Sequence, residues 1–478
     1  MIKKIKKSIY FLICSLCFLP SFTFAKQPNI YPGISYEQWK MPNGIKPMGV
    51  LGVRGLADFN NWFYGGVGLY SSVAGEKGGY FALALEGGVQ HHLFSQFKWD
   101  VGARVGGGGG HSVPVGGGLF YEPYAGLQYD FGKLYAEIYY SYIDFVDGQI
   151  SSDQFGLMMG CAFNAISFSA GNHDSQNYIA ALSKIYFFNN GVLNLANQAM
   201  NAHMEMLGAE FGHFISKRFF LFFNFSGAFH GNENGYADEL LGIGYQFPLF
   251  HSPYFSGSIK MAAGSGGGGN VNTGGGFLYN PLLGLEYRLH SIGVEIDGGY
   301  LDAPQGDFAA KQASVLLKYY FSNHNALHSD QHAWRIRILN QTYFEPRSSD
   351  GTINPTMQLL DIDFDYYLLH YLYVTGQVAF AYKGQNTGGY TSGMFGLGAI
   401  TQPILKTPIQ LFSEILGGTG GGGGLSIGGG ALVEPIVGLQ YQINSVFALQ
   451  ASTGYLMAVS GGFHSQTLEI GINYRLTD

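Results

Sequence analysis

The sequence of 478 residues has 25 Lys and Arg against 32 Asp and Glu, a net charge of −7, and only 12% of its residues are charged. It contains 73 glycines, 38 phenylalanines and 33 tyrosines. The high apolar content excludes an intrinsically disordered chain, the clustering of the glycines excludes a collagen repeat, and the acidic balance argues against nucleic-acid binding.

Residues 1–25 have the pattern of a secretory signal peptide. Four lysines among the first seven residues precede an apolar run from Ile9 to Phe18, and Thr23 and Ala25 supply the small residues of a cleavage site. The run is short for a membrane-spanning helix, so we expect cleavage, with an uncleaved anchor as the alternative. The mature chain keeps one cysteine, Cys161, which excludes an intramolecular disulfide.

The strongest pattern in the sequence is an internal repeat. Three segments, Gly106–Phe131, Gly264–Leu289 and Gly418–Ile443, each contain a glycine tract, a run of three glycines, a proline and a Gly-Leu-x-Tyr motif. The signature residues of the repeat are Pro123, Pro281, Pro435, Gly126, Gly284 and Gly438. Such self-similarity predicts three copies of one structural unit.

The repeat divides the mature chain into unit 1 (26–166), unit 2 (178–321) and unit 3 (333–478), with short polar linkers between them. Within each unit, apolar and polar or small residues alternate with a period of two, as in β-strands. In residues 291–300, for example, three aliphatic side chains alternate with Gly293, Glu295 and Asp297. We count about eight strands per unit, each long enough to cross a membrane with a tilt.

These features indicate a membrane-spanning sheet. Such a sheet must close, because unpaired edges cannot be hydrated in lipid, and the many Tyr and Phe residues suit the aromatic girdles of a barrel. The alternative is a secreted array of soluble β-sandwiches, for which we would expect more charge on exposed faces. The signal peptide, the strands and the aromatic residues together favour a bacterial outer membrane.

The chain resembles Gram-negative outer-membrane β-barrel proteins, as a small eight-stranded unit repeated three times. Leu316–Phe321 resembles the C-terminal strand of those proteins, which ends in an aromatic residue, and Gly471–Leu476 is similar but ends in Leu. The resemblance implies an outer-membrane location, contact with lipid and lipopolysaccharide, and assembly by the outer-membrane insertion machinery. It implies no substrate.

The predicted fold is therefore all-β, a transmembrane antiparallel β-barrel protein of three tandem eight-stranded units. One 24-stranded barrel is the alternative, but it would enclose a wide lumen, and neither a plug domain nor long loops are evident. The glycine runs flank a predicted outer loop, His111–Val115, in unit 1. They indicate either a tight hairpin or a small groove or pore lined by backbone in each unit.

The sequence assigns no catalytic, cofactor-binding or metal-binding residue. The pairs His111-Ser112 and His464-Ser465 suggest a nucleophile with a base, but the second unit lacks the pair. The linker histidines 324, 328 and 332 have helical spacing, and we interpret them as part of a solvated linker. Polar residues that face inward are expected to form either an internal salt-bridge network or a selectivity lining. They are Arg104, Gln128, Glu137, Glu286, Arg288, Glu295, Asp297, Gln440 and Arg475.

The predicted function is a non-enzymatic structural or surface-interaction role in the outer membrane, with an unknown surface ligand, no cofactor and no nucleic-acid partner. A passive porin for small solutes is the first alternative. A lipid-modifying enzyme is the second.

Overall fold

The computed structural model describes residues 29–110, 113–132, 134–161, 163–164, 177–200, 203–231, 235–250, 252–321, 334–385, 387–404 and 407–476. The predicted signal peptide and nearly all of both predicted linkers lie outside these residues. Within the described ranges, no helix is long and apolar enough to cross a membrane.

In the described part of the chain, strands make up almost all of the regular structure, and Pro42–Gly44 forms a 3₁₀ turn. The first unit contains β1 (Asn29–Trp39), β2 (Met48–Asp58), β3 (Phe63–Ala74), β4 (Phe81–Phe94), β5 (Phe97–Gly109), β6 (Leu119–Asp130), β7 (Leu134–Phe145), β8 (Ser151–Cys161) and the short β9 (Phe163–Asn164). The second contains β10 (Asn177–Phe188), β11 (His203–Phe214), β12 (Phe219–His230), β13 (Ala237–Pro248), β14 (Phe255–Gly267), β15 (Phe277–Leu289), β16 (Ile292–Asp302) and β17 (Ala309–Phe321). The third contains β18 (Trp334–Arg347), β19 (Met357–Leu369), β20 (Leu372–Lys383), β21 (Thr391–Ile400), β22 (Ile409–Gly421), β23 (Ala431–Gln442), β24 (Phe447–Ala458) and β25 (His464–Leu476).

In each unit, eight long strands close into an antiparallel barrel. The two-residue β9, which follows β8, also pairs with β1. In barrel 1, β1 pairs with both β2 and β8, and Tyr36 lies opposite Leu157 at the closure. Barrel 2 closes through β10 and β17, with Leu182 opposite Leu316, and barrel 3 closes through β18 and β25. The prediction of three eight-stranded units is confirmed. The alternative of one 24-stranded barrel is wrong, because the first and last strands of each unit satisfy each other's backbone groups.

The two ends of the barrels differ. At one end, here called the turn end, the strands are joined mostly by short connections such as 59–62, 95–96 and 290–291. At the other, called the loop end, the connections include 110–118, 268–276 and 422–430, and these carry glycines of the repeat. Each barrel has eight strands, so both of its terminal strands begin or finish at the turn end.

The outer faces of the barrels are apolar. Leu283 and Ile296 of barrel 2 are 66% and 59% exposed, and Ile415 of barrel 3 is 59% exposed. Exposed aromatic residues, including Trp62 and Phe131, gather at the turn end. Polar side chains occupy the alternate positions and point inward. This is the pattern of a barrel surrounded by lipid, with an aromatic belt at the membrane interface.

The repeat proline interrupts one ladder in each barrel. Proline has no N–H to donate, and the pairing of β6 with β7 skips from Tyr121 to Tyr124 around Pro123. The same gap occurs around Pro281 between β15 and β16, and around Pro435 between β23 and β24. The ladder to the preceding strand is unbroken in all three cases.

The three barrels pack against one another through outward-facing apolar side chains. Phe81 and Leu83 of barrel 1, Ala237 of barrel 2, and Ile362 and Phe380 of barrel 3 form one buried cluster. These positions are buried although they face away from the barrel interiors, because neighbouring barrels cover them. The chain is therefore a single-chain trimer of barrels.

Candidate functional site

The interior of barrel 1 contains a compact cluster of charges. Arg104 is fully buried, with its Nη1 atom 2.9 Å from Glu122 Oε2 and 3.5 Å from Glu37 Oε2. Arg54 Nη1 lies 3.0 Å from Glu86 Oε1. Three tyrosine rings surround the Arg104 guanidinium, with centroids at 4.9, 5.0 and 5.2 Å. The charges are thus paired inside the barrel, where an unpaired charge is costly.

Barrel 2 has an equivalent network built on lysines. Lys260 Nζ lies 2.6 Å from Asp297 Oδ2 and 3.3 Å from Glu295 Oε1. Lys318 Nζ lies 3.2 Å from Glu286 Oε2 and also pairs with Glu295. The three acidic residues are among those predicted to face inward. Neither lysine was predicted from the sequence to do so. Their alternation within strongly apolar strands was the signal that could have found them.

Barrel 3 is organised around Arg337. Its guanidinium lies 3.0 Å from Asp363 Oδ2, 3.0 Å from Asp365 Oδ2 and 2.9 Å from Glu414 Oε1. Arg335 Nε adds a second contact to Asp365 Oδ2 at 2.6 Å. None of these residues was singled out from the sequence. They lie on the first, second and fifth strands of unit 3, and barrel 1 has its buried Glu37, Arg54 and Arg104 on the same three strands of its own unit.

The other predicted interior residues lie nearer the turn end. Gln128 and Glu137 are buried and lie opposite each other on β6 and β7. Gln440 is buried and accepts a hydrogen bond of 2.8 Å from an arginine Nη1. Arg288 and Arg475 are half-buried, and each guanidinium lies over a tyrosine ring, 3.7 and 5.5 Å from the centroid.

The repeat glycines of the Gly-Leu-x-Tyr motif face these interiors. A Cβ atom at Gly126 would collide with the Glu137 carboxylate. At Gly284 it would collide with Glu295 and with the serine and aspartate beside it, and at Gly438 with the ring of Phe412. A side chain at this position would therefore displace buried side chains of other strands.

The glycine-flanked loops cap the barrels at the loop end. Val113 and Val115 fold back into barrel 1 and are buried there. The equivalent Val271 caps barrel 2, and Leu425 and Ile427 cap barrel 3. Each loop thus supplies apolar side chains that close the interior of its own barrel.

Small cavities lie inside two of the capped barrels. A cavity of about 20 Å³ lies beside Arg54, Asp100 and Glu137 in barrel 1. A cavity of about 40 Å³ lies beside Arg335 and Arg475 in barrel 3. Since one water needs roughly 10–15 Å³ of such space, these cavities hold a few waters at most.

The glycine runs also form the contacts between barrels. The loop-end part of strands five and six in one barrel packs against strand three of another barrel and against the connection that follows it. The contact repeats in a cycle. Strands five and six of barrel 2 pack on barrel 1, those of barrel 3 pack on barrel 2, and those of barrel 1 pack on barrel 3. Backbone meets backbone at three equivalent pairs of positions, Gly79 with Gly268, Gly235 with Gly422, and Gly389 with Gly110.

Hydrogen bonds between main chains follow the same cycle. The Gly78 N–H of barrel 1 donates to the Gly274 carbonyl of barrel 2 at 2.7 Å. The Gly388 N–H of barrel 3 donates to the Gly116 carbonyl of barrel 1 at 3.2 Å. Repeated head-to-tail contacts of this kind close into a ring when the rotation between units allows it.

One cavity of about 630 Å³ lies where the three barrels meet at the loop end. Glycines from all three units line it, including Gly110, Gly268 and Gly422. Phe81 and Phe380 reach it from the apolar cluster between barrels, and Lys77 also lies on its wall. The expectation of one backbone-lined groove in each unit is therefore corrected: the three glycine runs share a single cavity.

The His464-Ser465 pair of the third unit does not bring a nucleophile and a base together. His464 is half-buried and its Nδ1 contacts the Gly462 carbonyl at 2.9 Å. Ser465 is buried on the opposite face of β25 and donates to the Phe344 carbonyl at 3.2 Å. The His111-Ser112 pair and the linker histidines lie outside the described residues.

No protein-family model matches the sequence, and no curated protein matches it. Among solved structures, the siderophore receptor PirA from Pseudomonas aeruginosa is 9% identical, with a TM-score of 0.30 over 95% of this chain and 81% of that chain. The copper transporter OprC is 10% identical, with a TM-score of 0.31 over 94% of this chain and 80% of that chain. Likenesses this low do not transfer a ligand or an activity to this chain.

Proposed function

We propose that this protein is a non-conducting, non-enzymatic component of the Gram-negative outer membrane, whose three fused barrels present one composite surface to the outside. The observation that carries the proposal is that the interiors of the barrels are filled and capped. Charged networks fill their middles, and the glycine loops cap their loop ends. Such barrels anchor and orient a surface; they do not provide a path for solutes.

The outer faces support insertion in a lipid bilayer. Their exposed aliphatic side chains and the aromatic residues at the turn end match the surface that a membrane barrel needs. Outer-membrane barrels keep short turns on the periplasmic side and longer loops outside. The loop end is then the external face, in contact with lipopolysaccharide at its rim, and the insertion machinery of the outer membrane assembles the chain.

The composite surface is the candidate site for interaction with a surface ligand. Its cavity is built only when all three barrels meet, because each barrel contributes a glycine run to the wall. Fusion into one chain fixes the order of the barrels and keeps the three walls together. The protein thus has a structural role, and its loop end binds the surface ligand.

Conductance tests the proposal directly. The mature chain is refolded into lipid, its insertion is verified by heat-modifiable gel mobility, and single-channel currents are recorded in a planar bilayer. We expect no stable steps from the inserted protein. Large, stable steps would overturn the proposal in favour of the porin alternative.

A matched pair of variants locates any current that does appear. Phe380→Ala widens the junction between the barrels, whereas Val271→Ala widens the cap inside barrel 2. Larger steps with Phe380→Ala would place the path between barrels, and larger steps with Val271→Ala would place it through a barrel. Both results would refute a non-conducting role.

A further inference from the structure

Three potential metal ligands converge at the loop end of barrel 2. His203 and Glu205 lie near the start of β11, and His230 ends the neighbouring strand β12. The His203 Nε2 atom is 3.2 Å from Glu205 Oε1, and the His230 Nδ1 atom is 3.7 Å from the same oxygen. One ligand atom from each of the three residues lies within 4.8 Å of the others.

A β-bulge brings the third ligand to this face. Met206 pairs with Ala228, but Glu205 pairs with His230, so Phe229 is an extra residue on β12. Without the bulge, His230 would pair with Met204, which is buried inside the barrel. With it, His230 lies opposite Glu205 on the outer face, as expected when one inserted residue reverses the alternation of a strand.

We propose that His203, Glu205 and His230 form a Zn²⁺ site on the outer rim of barrel 2. Two imidazoles and one carboxylate are a ligand set that zinc takes with a further position left for water. At bond lengths of about 2.0–2.1 Å, tetrahedral ligands lie roughly 3.3 Å apart. The observed separations of 3.2 and 3.7 Å are close to that value, and the two exposed histidine side chains can rotate to complete the geometry.

The site adjoins the contact between barrels 2 and 3. Just before His230, the carbonyls of Ala228 and Phe229 face Gly430 and Gly429 of barrel 3. A zinc ion that joins β11 to the end of β12 would hold in place the strand against which barrel 3 packs. The site is separate from the central cavity, whose wall contains none of its three ligands.

Titration of the mature, refolded full chain with Zn²⁺ alone tests the site. We expect one equivalent to bind tightly, and Co²⁺ in its place to show the absorption of a tetrahedral site with nitrogen ligands. His203→Gln, Glu205→Gln and His230→Gln should each weaken Zn²⁺ binding more than about tenfold, since losses of supporting groups alone cost about 10–100-fold. Heat-modifiable mobility shows that each variant remains folded.

Two controls separate this cluster from the other histidines. His290→Gln removes an exposed histidine at the turn end. A triple change of the linker histidines 324, 328 and 332 to Gln removes the other group with metal-binding spacing. Both controls should keep the tight equivalent. Tight binding that survives the His203→Gln/His230→Gln double variant, binding that disappears with the linker histidines, or affinity only in the millimolar range would each overturn the proposal.

Discussion

Replacement of Gly79 by alanine is predicted to weaken the contact between barrels 1 and 2. Gly79 has φ +84°, in the left-handed region, and a Cβ atom there would lie 2.6 Å from the carbonyl carbon of Gly267 and closer still to the Gly268 nitrogen. Both atoms belong to the backbone of the other barrel, so no side-chain rotation can relieve the collision. The two backbone segments must move apart to make room for the added carbon.

The expected cost has two parts. Left-handed φ at a non-glycine residue costs roughly 1–2 kcal/mol, and forcing extra volume into a packed contact costs about 1–3 kcal/mol. Gly351→Ala isolates the first part, because Gly351 has φ +86° and no atom within 4 Å of its would-be Cβ. Gly79→Ala should therefore destabilise the protein by about 1–3 kcal/mol more than Gly351→Ala does.

The measurement is urea-induced unfolding of the mature chain in lipid vesicles, followed by tryptophan fluorescence and by gel mobility. The equivalent glycines provide a graded series. Gly235 has φ +85° with its would-be Cβ 2.9 Å from Gly422 N, and Gly389 lies outside the left-handed region with a distance of 3.0 Å to Gly110 N. The loss of stability should therefore decrease from Gly79→Ala through Gly235→Ala to Gly389→Ala. Equal effects of Gly79→Ala and Gly351→Ala would refute the view that these glycines exist for contact between barrels.

Two further predictions concern the interior and the outer face. Arg104→Met leaves Glu37 and Glu122 buried without their partner and should lower the free energy of unfolding by about 3–5 kcal/mol in the same assay. The control Lys40→Met breaks an exposed ion pair and should cost less than about 1 kcal/mol. Similar losses for the two variants would contradict the buried network. Ile296→Arg places a charge near the middle of the lipid-facing side of β16 and should cost about 2–4 kcal/mol in vesicles. Ile353→Arg, at a loop-end position of similar exposure (57% against 59%), should change stability little, and equal costs would count against a bilayer around the barrels.

The strands and their number could be predicted from the sequence because the signal is local. Alternation along a strand decides which side chains share a face, so Arg104, Glu286 and Glu295 were expected to point inward, and the structure places them in the barrel interiors. Their partners could not be named. Lys260 and Lys318 lie on the strands just before and just after those of Glu286 and Glu295, but which charges meet depends on the tilt and stagger of the closed barrel.

Closure was harder to predict than strand content. Both one large barrel and three small ones fit the alternation and the even number of strands in each repeat. The two architectures differ in which strand pairs with the free edge of β1. In the structure that strand is β8 of the same unit, and not a strand of another unit. That pairing joins residues more than a hundred positions apart, and no local pattern encodes it.

The glycine runs show most clearly what each level decides. The sequence by itself determined that the runs repeat three times, that they flank a loop, and that a backbone without side chains is needed there. Only the tertiary structure decided the reason, because Gly110, Gly268 and Gly422 of these runs meet a glycine of another barrel as well as one of their own. A close approach between two backbones depends on the positions of both, and one segment of sequence specifies only its own half of the contact.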